Sequence, residues 1–233
     1  MKELLEKILA RLNINAKTKP FEEYCDMLRR TNEVMNLTAI TDPQEVAIRH
    51  FADSLALLTM CDFKDKRVID VGCGAGFPGI PLKLGEKSIT LTLLDSLNKR
   101  ITFLSDVCEK LGLENVECLH ARAEEQAQEE GYRESFDIAV SRAVAELSVL
   151  CEITLPYVKV GGVFIAMKST HIEDELESAQ RAISVLGGRL EDRIDYPLFD
   201  TGITHTALII KKERETPKKY PRRFAKIKSS PIK

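Results

Sequence analysis

The chain has 233 residues, of which 44% are apolar and 30% charged, enough to bury a sizeable core as one large α/β domain or as one domain with an appendage. No window approaches the ~18 consecutive apolar residues that a membrane span needs. The N-terminus MKELLEKILARL is charged throughout and lacks the apolar stretch of a secretory signal. The six cysteines are scattered without a CxxC pair, which argues for reduced thiols in a cytoplasmic protein and against a disulfide framework or a metal cluster.

The net charge of −2 hides an asymmetry along the chain. Residues 211–233 contain ten Lys and Arg against two Glu, a net charge of +8, which leaves −10 on the preceding 210 residues. A basic tail on an acidic body is typical of proteins with a polyanionic partner. The alternative is a solvated tail that only raises solubility.

Helical patterns fill residues 1–66. Apolar residues at a 3.6-residue spacing predict two helices, one around Leu5 and Ile8 and one around Tyr24 and Leu28. A third helix is predicted to start at TDPQE, residues 41–45, with Asp42 as its N-cap. We expect residues 1–66 to form a helical extension packed on the rest of the chain.

From Lys66 onward, strand and helix patterns alternate, which predicts βαβ units and a parallel sheet over residues 67–212. The last two predicted strands are joined by a short turn at residues 200–202, so the sheet should end in an antiparallel strand. Seven strands are predicted, at 67–71, 89–95, 116–121, 136–141, 162–168, 190–198 and 204–212. Helices are predicted at 99–111, 146–158 and 172–186, and prolines lead us to expect an extended or irregular tail over 213–233.

The strongest local signal is VIDVGCGAGFPG at residues 68–79, an apolar strand that runs into a glycine-rich turn before a helix. Glycines such as Gly72 and Gly74 let the backbone turn sharply and let a ligand approach, and a helix N-terminus offers free amides. Asp95 ends the next predicted strand, close to the offset of a carboxylate that binds a ribose. This pattern predicts a nucleoside site; the alternative is a packing turn with Asp95 as a helix cap.

Residues 74–79 also match GxGxxG, so a dinucleotide is one possible ligand. Three features favour S-adenosylmethionine instead. Asp70 ends the first strand, where a carboxylate would attract a cationic amino acid and repel a pyrophosphate. The motif follows a long helical segment, and the sheet ends in a hairpin, unlike a dinucleotide fold built from two halves. The predicted fold class is therefore α/β, with a seven-stranded, Rossmann-like class I methyltransferase sheet and an antiparallel last strand.

Two further positions fall at predicted strand ends on the carboxyl edge, where such sheets bind ligands. Ala123 and Glu124 follow the third strand and are candidates for an adenine edge, while Arg142 follows the fourth, where methyltransferases meet their substrate. The alternatives are a helix first-turn charge for Glu124 and a surface ion pair for Arg142. Residues 141–144 read SRAV and lack the Asn/Asp-Pro-Pro-aromatic turn of many enzymes that methylate exocyclic amines. A ring nitrogen with a lone pair, such as guanine N7, needs no general base, and no catalytic residue is predicted.

With these residues in view, the chain resembles the ribosomal small-subunit RNA guanine-N7 methyltransferase family, also called glucose-inhibited division protein B. The combination of the glycine motif with the RHFADS helix and the basic tail makes the resemblance specific. The matching segments are NLTAI at 36–40, RHFADS at 49–54, DVGCGAGFPGIP at 70–81, DSLNKR at 95–100, RAE at 122–124, SRAVA at 141–145, PKKYPR at 217–222 and PI at 231–232.

The resemblance implies a cytoplasmic enzyme that uses S-adenosylmethionine to methylate N7 of one guanine in small-subunit ribosomal RNA, either naked or in a ribosomal particle. It implies cofactor contacts at Gly72, Phe77, Asp95, Ala123, Glu124 and Arg142, and the glycine turn adds Gly74 as a seventh predicted cofactor residue. No membrane, metal or obligate protein partner is expected. The alternatives are a methyltransferase of the same fold acting on a small molecule or protein, and a non-catalytic RNA-binding assembly factor.

The candidate RNA contacts combine cations with aromatic rings. Basic side chains bind phosphates, and interleaved rings stack on unpaired bases. The residues are Arg142, Lys218, Lys219, Tyr220, Arg222 and Arg223, with Phe224 beside them. The sequence assigns no role to Asn36, Arg49, His50 or Asp53.

Overall fold

The computed structural model describes residues 1–142 and 145–232. Ala143 and Val144, which belong to the predicted turn after the fourth strand, lie outside the described residues, as does Lys233. The described strands are β1 (Arg67–Val71), β2 (Thr90–Asp95), β3 (Val116–His120), β4 (Phe136–Arg142), β5 (Val158–Ser169), β6 (Gly188–Pro197) and β7 (Thr204–Lys212).

These strands form a seven-stranded sheet in the order β3-β2-β1-β4-β5-β7-β6. β1 to β5 pair in parallel, and β7 is antiparallel to both of its neighbours, β5 and β6. The predicted α/β class with an antiparallel last strand is confirmed. The strand order reverses between β1 and β4, and open α/β sheets bind ligands at the carboxyl ends of the strands beside such a switch point.

Helices cover both faces of the sheet. None of them, within the ranges that the structure describes, is long and apolar enough to cross a membrane. The α-helices are α1 (Lys2–Arg11), α2 (Thr18–Met35), α3 (Pro43–Val46), α4 (Asp53–Leu55), α5 (Gly79–Gly85), α6 (Asn98–Leu111), α7 (Ala123–Gln126), α8 (Leu147–Thr154), α9 (Glu173–Val185) and α10 (Phe224–Ser229). Residues Ala47–Ala52 form a π-helical turn, and Ala56–Thr59 and Leu155–Tyr157 form 3₁₀ turns.

The N-terminal helices are part of the main core. Leu5, Ile8, Phe21 and Tyr24 are fully buried and belong to one apolar cluster with Val68 of β1 and its neighbours. Burial of a large apolar side chain stabilises the fold by about 1.5–3 kcal/mol, so removing residues 1–66 would expose one face of the sheet at a large cost. The predicted start of the third helix is confirmed, because Asp42 accepts hydrogen bonds from the amides of Gln44 and Glu45 at 2.9 and 3.0 Å.

The segment between β4 and β5 differs from the prediction. The helix expected to reach residue 158 ends at Thr154, because Pro156 lacks an amide proton and cannot continue it. β5 starts at Val158 instead of residue 162 and passes through Gly161 and Gly162. A Cβ on Gly162 would lie 2.5 Å from the Asp137 carbonyl oxygen, so only glycine allows β5 to approach β4 this closely.

The prediction of an extended or irregular tail is wrong for its last part. Residues 224–229 form α10, which lies between Pro221 and Pro231. The prolines limit this helix at both ends and do not interrupt it. Ile227 of α10 is fully buried in a second apolar cluster that includes α8. The tail is therefore folded onto the sheet domain.

Candidate functional site

The glycine-rich turn is tied to the end of β2. The amides of Gly72 and Cys73 donate to the Leu94 carbonyl oxygen at 2.8 and 3.1 Å, and the Gly74 amide donates to the Asp95 carboxylate at 3.0 Å. Gly72 and Gly74 have φ of +74° and +58°, in the left-handed region that favours glycine. These contacts give the turn a defined shape at the carboxyl edge of β1 and β2.

Close packing requires glycine at positions 76 and 79, and Gly76 also has a positive φ, of +100°. A Cβ on Gly76 would lie 2.6 Å from the Tyr24 hydroxyl oxygen, and one on Gly79 would lie 2.9 Å from an Asp70 carboxylate oxygen. These two glycines therefore allow close packing behind the turn, against α2 and β1. The first two glycines therefore shape the turn, and the last two allow close packing behind it.

A cavity of about 380 Å³ opens beside this turn, which we call the glycine-loop cavity. Its lining includes Gly72, Asp95, Ala123, Glu124, Arg142 and Phe224. The structure thus brings together five of the seven predicted cofactor residues. Gly74 contacts the Asp95 carboxylate without lining the cavity, and Phe77 is buried behind the turn.

Asp95 and Glu124 both lie at the edge of this cavity with their carboxylates largely buried. The Asp95 carboxylate accepts hydrogen bonds from the amides of Gly74 and Leu97 and from the Arg100 guanidinium, at 2.9–3.1 Å. Glu124 lies 3.8 Å from the Arg122 guanidinium. The Ala123 carbonyl oxygen accepts from the Tyr157 hydroxyl at 2.6 Å, which fixes this residue at the cavity wall. These residues form a rigid, acidic rim.

Asp70 carries an uncompensated carboxylate beneath the turn. It is fully buried, one oxygen accepts from the Gly79 amide at 2.8 Å, and the other has no hydrogen-bond partner among residues 1–142 and 145–232. Burial raises the pKa of Asp70 to about 7, with Asp95 adding to the rise while the Gly79 amide and Arg142 oppose it. Asp70 does not itself line the glycine-loop cavity, and a cationic ligand group close to the turn would compensate its carboxylate through space.

Arg142 ends β4, and its guanidinium is held by several groups of the N-terminal helices. It donates to the Arg49 carbonyl oxygen and the Asp53 carboxylate, both at 3.0 Å, and to His50 Nδ1 at 3.1 Å. It also lies 5.0 Å from the centre of the Phe77 ring, in a cation–π contact. Each contact has its own direction, which suits the planar fork of arginine and not the point charge of lysine.

His50 is a neutral ring in this arrangement. Its pKa is lowered to about 3, chiefly by burial and then by the Arg142 charge. His50 Nδ1 lies 3.1 Å from the Arg142 guanidinium, which can only donate, and 3.1 Å from the Arg49 carbonyl oxygen, which can only accept. We assign the proton to Nε2, which lies 3.0 Å from the Thr38 hydroxyl oxygen, so that Nδ1 accepts from the charged Arg142 and makes no hydrogen bond to the Arg49 carbonyl. The ring stacks on Phe77 with a centroid distance of 4.3 Å. Phe77 thus supports His50 and Arg142 from below.

Asp53 connects four parts of the chain. One carboxylate oxygen accepts from Arg142, and the other accepts from the Tyr196 hydroxyl at 2.9 Å and from His205 Nδ1 at 2.8 Å. Burial alone would raise the pKa of Asp53, but the His205 hydrogen bond and the Arg142 charge outweigh it, so the pKa is lowered. Asp53 is therefore ionised and links α4 to β4, β6 and β7.

A second and larger cavity, of about 850 Å³, lies on the other side of Arg142. We call it the outer cavity and define it by six of its lining residues: Arg49, His50, Asp53, Arg142, Lys168 and His205. Glu175 also lines it and accepts from the Lys168 ammonium at 2.6 Å. Because Arg142 lines both cavities, two ligands bound in them would meet at this side chain.

The predicted RNA contacts in the tail fall into two groups. Lys218, Lys219 and Arg223 are exposed. Arg222 instead pairs with the fully buried carboxylate of Glu152 on α8, with distances of 2.7 and 2.6 Å, and its charge is used inside the protein. Tyr220 packs partly buried against the second apolar cluster. The structure therefore does not bring the six predicted RNA contacts onto one free surface.

The sequence assigned no role to several residues of the site, although the RHFADS motif contains three of them. Arg49, His50 and Asp53, which had no assigned role, surround Arg142, and Tyr196 and His205 join them. Asn36 instead ends α2 with φ of +49°. No local signal marks Tyr196 or His205, because both lie more than 140 residues from Asp53 in the chain.

Comparison with known proteins adds to this geometry. Residues 17–194 match the family model described as rRNA small subunit methyltransferase G. The chain belongs to that family. It is 49% identical over 211 residues to "Ribosomal RNA small subunit methyltransferase G" of Clostridium botulinum (strain Eklund 17B / Type B), covering 90% of this chain and 88% of the relative. A relative of the same name from Alkaliphilus oremlandii (strain OhILAs) is 48% identical, with 100% and 99% of the two chains covered.

Solved structures agree on the fold. An S-adenosylmethionine-dependent methyltransferase from Aquifex aeolicus superposes with a TM-score of 0.56 at 16% identity, over 75% of this chain and 96% of that one. The predicted resemblance to the rRNA small subunit methyltransferase G family and the methyltransferase fold are both confirmed. Within the part of the chain that the structure describes, no group of three or more His, Cys, Asp or Glu side chains is placed to hold a metal ion.

Proposed function

We propose that the protein transfers a methyl group from S-adenosylmethionine to N7 of a guanine in small-subunit ribosomal RNA, in the cytoplasm. The observation that carries the proposal is Arg142, which lines both the glycine-loop cavity and the outer cavity. Membership of the rRNA small subunit methyltransferase G family supports the substrate class. The six free cysteines and the ribosomal substrate support the cytoplasmic location.

The glycine-loop cavity would hold the cofactor. Asp95 would accept from the ribose hydroxyls, Ala123 and Glu124 would bind the adenine edge, and Gly72 would allow close approach of the ligand. The uncompensated Asp70 carboxylate would attract the cationic amino acid portion. When bound, the cofactor supplies an electrophilic methyl group on a sulfonium.

The residues of the outer cavity would orient the guanine. Arginine has five N–H donors, and residues within the described ranges use three of those of Arg142. Guanine O6 would accept from a donor of Arg142 that no described residue uses, a contact that is common at guanine edges. A fixed guanidinium thereby holds N7 in a defined orientation, and positioning of this kind is a large part of catalysis for reactions without proton transfer.

No side chain in this arrangement needs to act as a base, because guanine N7 carries a free lone pair. His50 is the nearest candidate, yet its Nδ1 accepts from Arg142 and its Nε2 proton faces Thr38. We therefore assign His50 a positioning role. The exposed cations Lys218, Lys219 and Arg223 would bind RNA phosphates outside the cavity.

The test uses small ribosomal subunits isolated from cells that lack the protein. Purified protein and radiolabelled S-adenosylmethionine should label their RNA, and borohydride–aniline cleavage should then cut the RNA at one guanine. Subunits from cells that contain the protein should accept little label, because their site is already methylated. Label on protein or on small molecules alone would overturn the proposed substrate. RNA binding without any transfer would indicate a non-catalytic assembly factor.

A further inference from the structure

The tail contributes a side chain to the glycine-loop cavity. Phe224, the first residue of α10, lines this cavity together with Ile153 of α8 and the predicted adenine-side residue Glu124. It also lines a neighbouring cavity of about 590 Å³, between the tail and α7, which shares Arg122 and Glu124. Phe224 therefore forms part of the wall between the two cavities.

The position of Phe224 is set by contacts that are largely buried. Two residues before it, Arg222 donates to both carboxylate oxygens of Glu152, and the Arg222 amide adds a third bond at 3.0 Å. The Gln128 side chain donates to the Pro221 carbonyl oxygen at 3.1 Å, and Ile227 is fully buried on the other side of Phe224. We call Arg222, Glu152 and Ile227 the tail anchor.

Upstream of the anchor, one guanidinium fixes the path of the tail. Arg133 donates to the carbonyl oxygens of Thr216 and Tyr220 at 2.8 and 3.0 Å. Between and beside these points lie the exposed cations Lys218, Lys219 and Arg223. One short segment thus presents cations to solvent and a phenyl ring to the glycine-loop cavity.

We propose that Phe224 is a cofactor-binding residue that packs against the nucleoside end of S-adenosylmethionine, and that the C-terminal tail is a shared element of the cofactor site and the RNA-binding surface. Aromatic rings stack on purines irrespective of hydrogen-bond pattern, and a ring next to Glu124 would meet the adenine. The inference rests on the proposed function, because it assumes that the cofactor occupies the glycine-loop cavity.

The test is calorimetric titration with two ligands, S-adenosylhomocysteine and methylthioadenosine, which lacks the amino acid portion. Phe224→Ala should bind both about tenfold more weakly, by the same factor, since the ring contacts the part that they share. Phe224→Tyr should keep near-normal affinity because it retains the ring. Ser229→Ala, in the same helix and away from both cavities, is the matched control. Melting temperatures establish that each variant is folded.

The second arm separates the two roles of the tail. Phe224→Ala should leave affinity for ribosomal RNA within twofold, whereas replacing Lys218 and Lys219 by Gln should weaken RNA binding and leave cofactor affinity unchanged. Arg222→Ala removes one partner of a buried ion pair and should weaken both ligands, because it releases the anchor. If the tail is a shared element, the first variant loses cofactor affinity, the second loses RNA affinity, and Arg222→Ala loses both.

Three results would overturn the inference. Phe224→Ala could bind S-adenosylhomocysteine within twofold of the unaltered protein, or lose affinity for it but not for methylthioadenosine, which would move the contact to the amino acid end. Arg222→Ala could change neither affinity while remaining folded. Asp95→Ala keeps the two proposals distinguishable: if it loses cofactor affinity while Phe224→Ala does not, only the inference about the tail fails.

Discussion

The two cavities that meet at Arg142 are built in different ways. Most of the glycine-loop cavity is formed by residues 71–72, 94–96 and 121–124, at the ends of three neighbouring parallel strands, and Arg100, Arg142, Ile153 and Phe224 complete its wall. The outer cavity gathers side chains from the N-terminal helices, from β4 and β5 and from the hairpin of β6 and β7. The first follows mainly from a sheet edge and a glycine turn, to which the tail adds one side chain, whereas the second exists only because distant segments are tied together at Asp53.

This difference predicts two classes of variant. Substitutions in the glycine-loop cavity should change cofactor affinity, and substitutions at the network around Asp53 should change turnover more than cofactor affinity. Measuring cofactor affinity and turnover separately for each variant tests this division.

Arg142 should give the largest effect. Arg142→Ala should lower the single-turnover methylation rate on ribosomal substrate by about 10²–10³-fold, the range for loss of a positioning or electrostatic group. Arg142→Lys should fall nearly as far, because lysine cannot reach Arg49, Asp53 and His50 with one planar group. Affinity for S-adenosylhomocysteine should change less than the rate in both variants. If lysine restores most of the rate, Arg142 acts only as a charge.

Asp95→Ala should weaken S-adenosylhomocysteine binding by roughly 10–150-fold, because a carboxylate hydrogen bond contributes about 1.5–3 kcal/mol and this one also holds the Gly74 amide. Calorimetry checks the affinity, with Asp106→Ala, which removes an exposed carboxylate of α6 outside this cavity, as the matched control. Gly72→Val is a poorer test of the turn, since a β-branched residue at φ +74° is strained whether or not a ligand binds. Near-normal binding by Asp95→Ala would remove the cofactor from this cavity.

Asp70 should make cofactor binding depend on pH. Its pKa is about 7 in the protein without ligand, and a bound cation would lower that value. Binding below pH 7 therefore releases a proton, and affinity for S-adenosylhomocysteine should fall as the pH decreases, by up to tenfold per pH unit. Above pH 7 the affinity should be constant. Titrations at pH 6 and pH 8 measure the difference, and an equally steep dependence in Asp70→Asn would exclude Asp70 as its source.

The raised pKa of Asp70 also predicts how the stability of the folded protein changes with pH. The pKa of Asp70 in the folded state lies above the value of an unfolded aspartate, near 4. Its contribution to stability is therefore fully present below pH 4 and is lost as the pH rises through 7. Asp70→Asn should unfold at a temperature that declines less between pH 5 and pH 8 than that of the unaltered protein, as measured by thermal denaturation.

Substitutions in the tail should give the smallest effect. They should change RNA affinity, and not turnover or cofactor affinity. Replacing Lys218, Lys219 and Arg223 by Gln should reduce the slope of log affinity for RNA against log salt by roughly 0.7–0.9 for each phosphate that is no longer neutralised. Arg222 is left in place because it pairs with Glu152. A triple Gln variant of three other exposed lysines, Lys64, Lys87 and Lys110, changes the net charge equally and is the control. Equal slopes in the two variants would mean that the tail does not bind RNA and only raises solubility.

The sequence by itself determined the sheet and most of the glycine-loop cavity. Alternating strand and helix patterns were sufficient because crossovers between parallel strands are right-handed and short, and the carboxyl ends of those strands then fall at one edge. Asp95, Ala123 and Glu124 each follow a strand within a few residues, so their meeting at this edge needs only the strand order. Gly74 and Phe77 were harder to assign, because a turn of this kind has both a ligand side and a packing side.

Only the tertiary structure decided the rest. Arg142 meets Asp53 across 89 residues, and Asp53 meets His205 across 152, and such contacts leave no periodic pattern in either segment. α10 has six residues, too few for a helix to be stable by propensity alone, and it forms because Ile227 is buried and Arg222 finds Glu152. Local patterns record which face of an element is apolar, whereas the partner of a buried charge is fixed only when the elements pack, because a buried charge is costly unless it is paired.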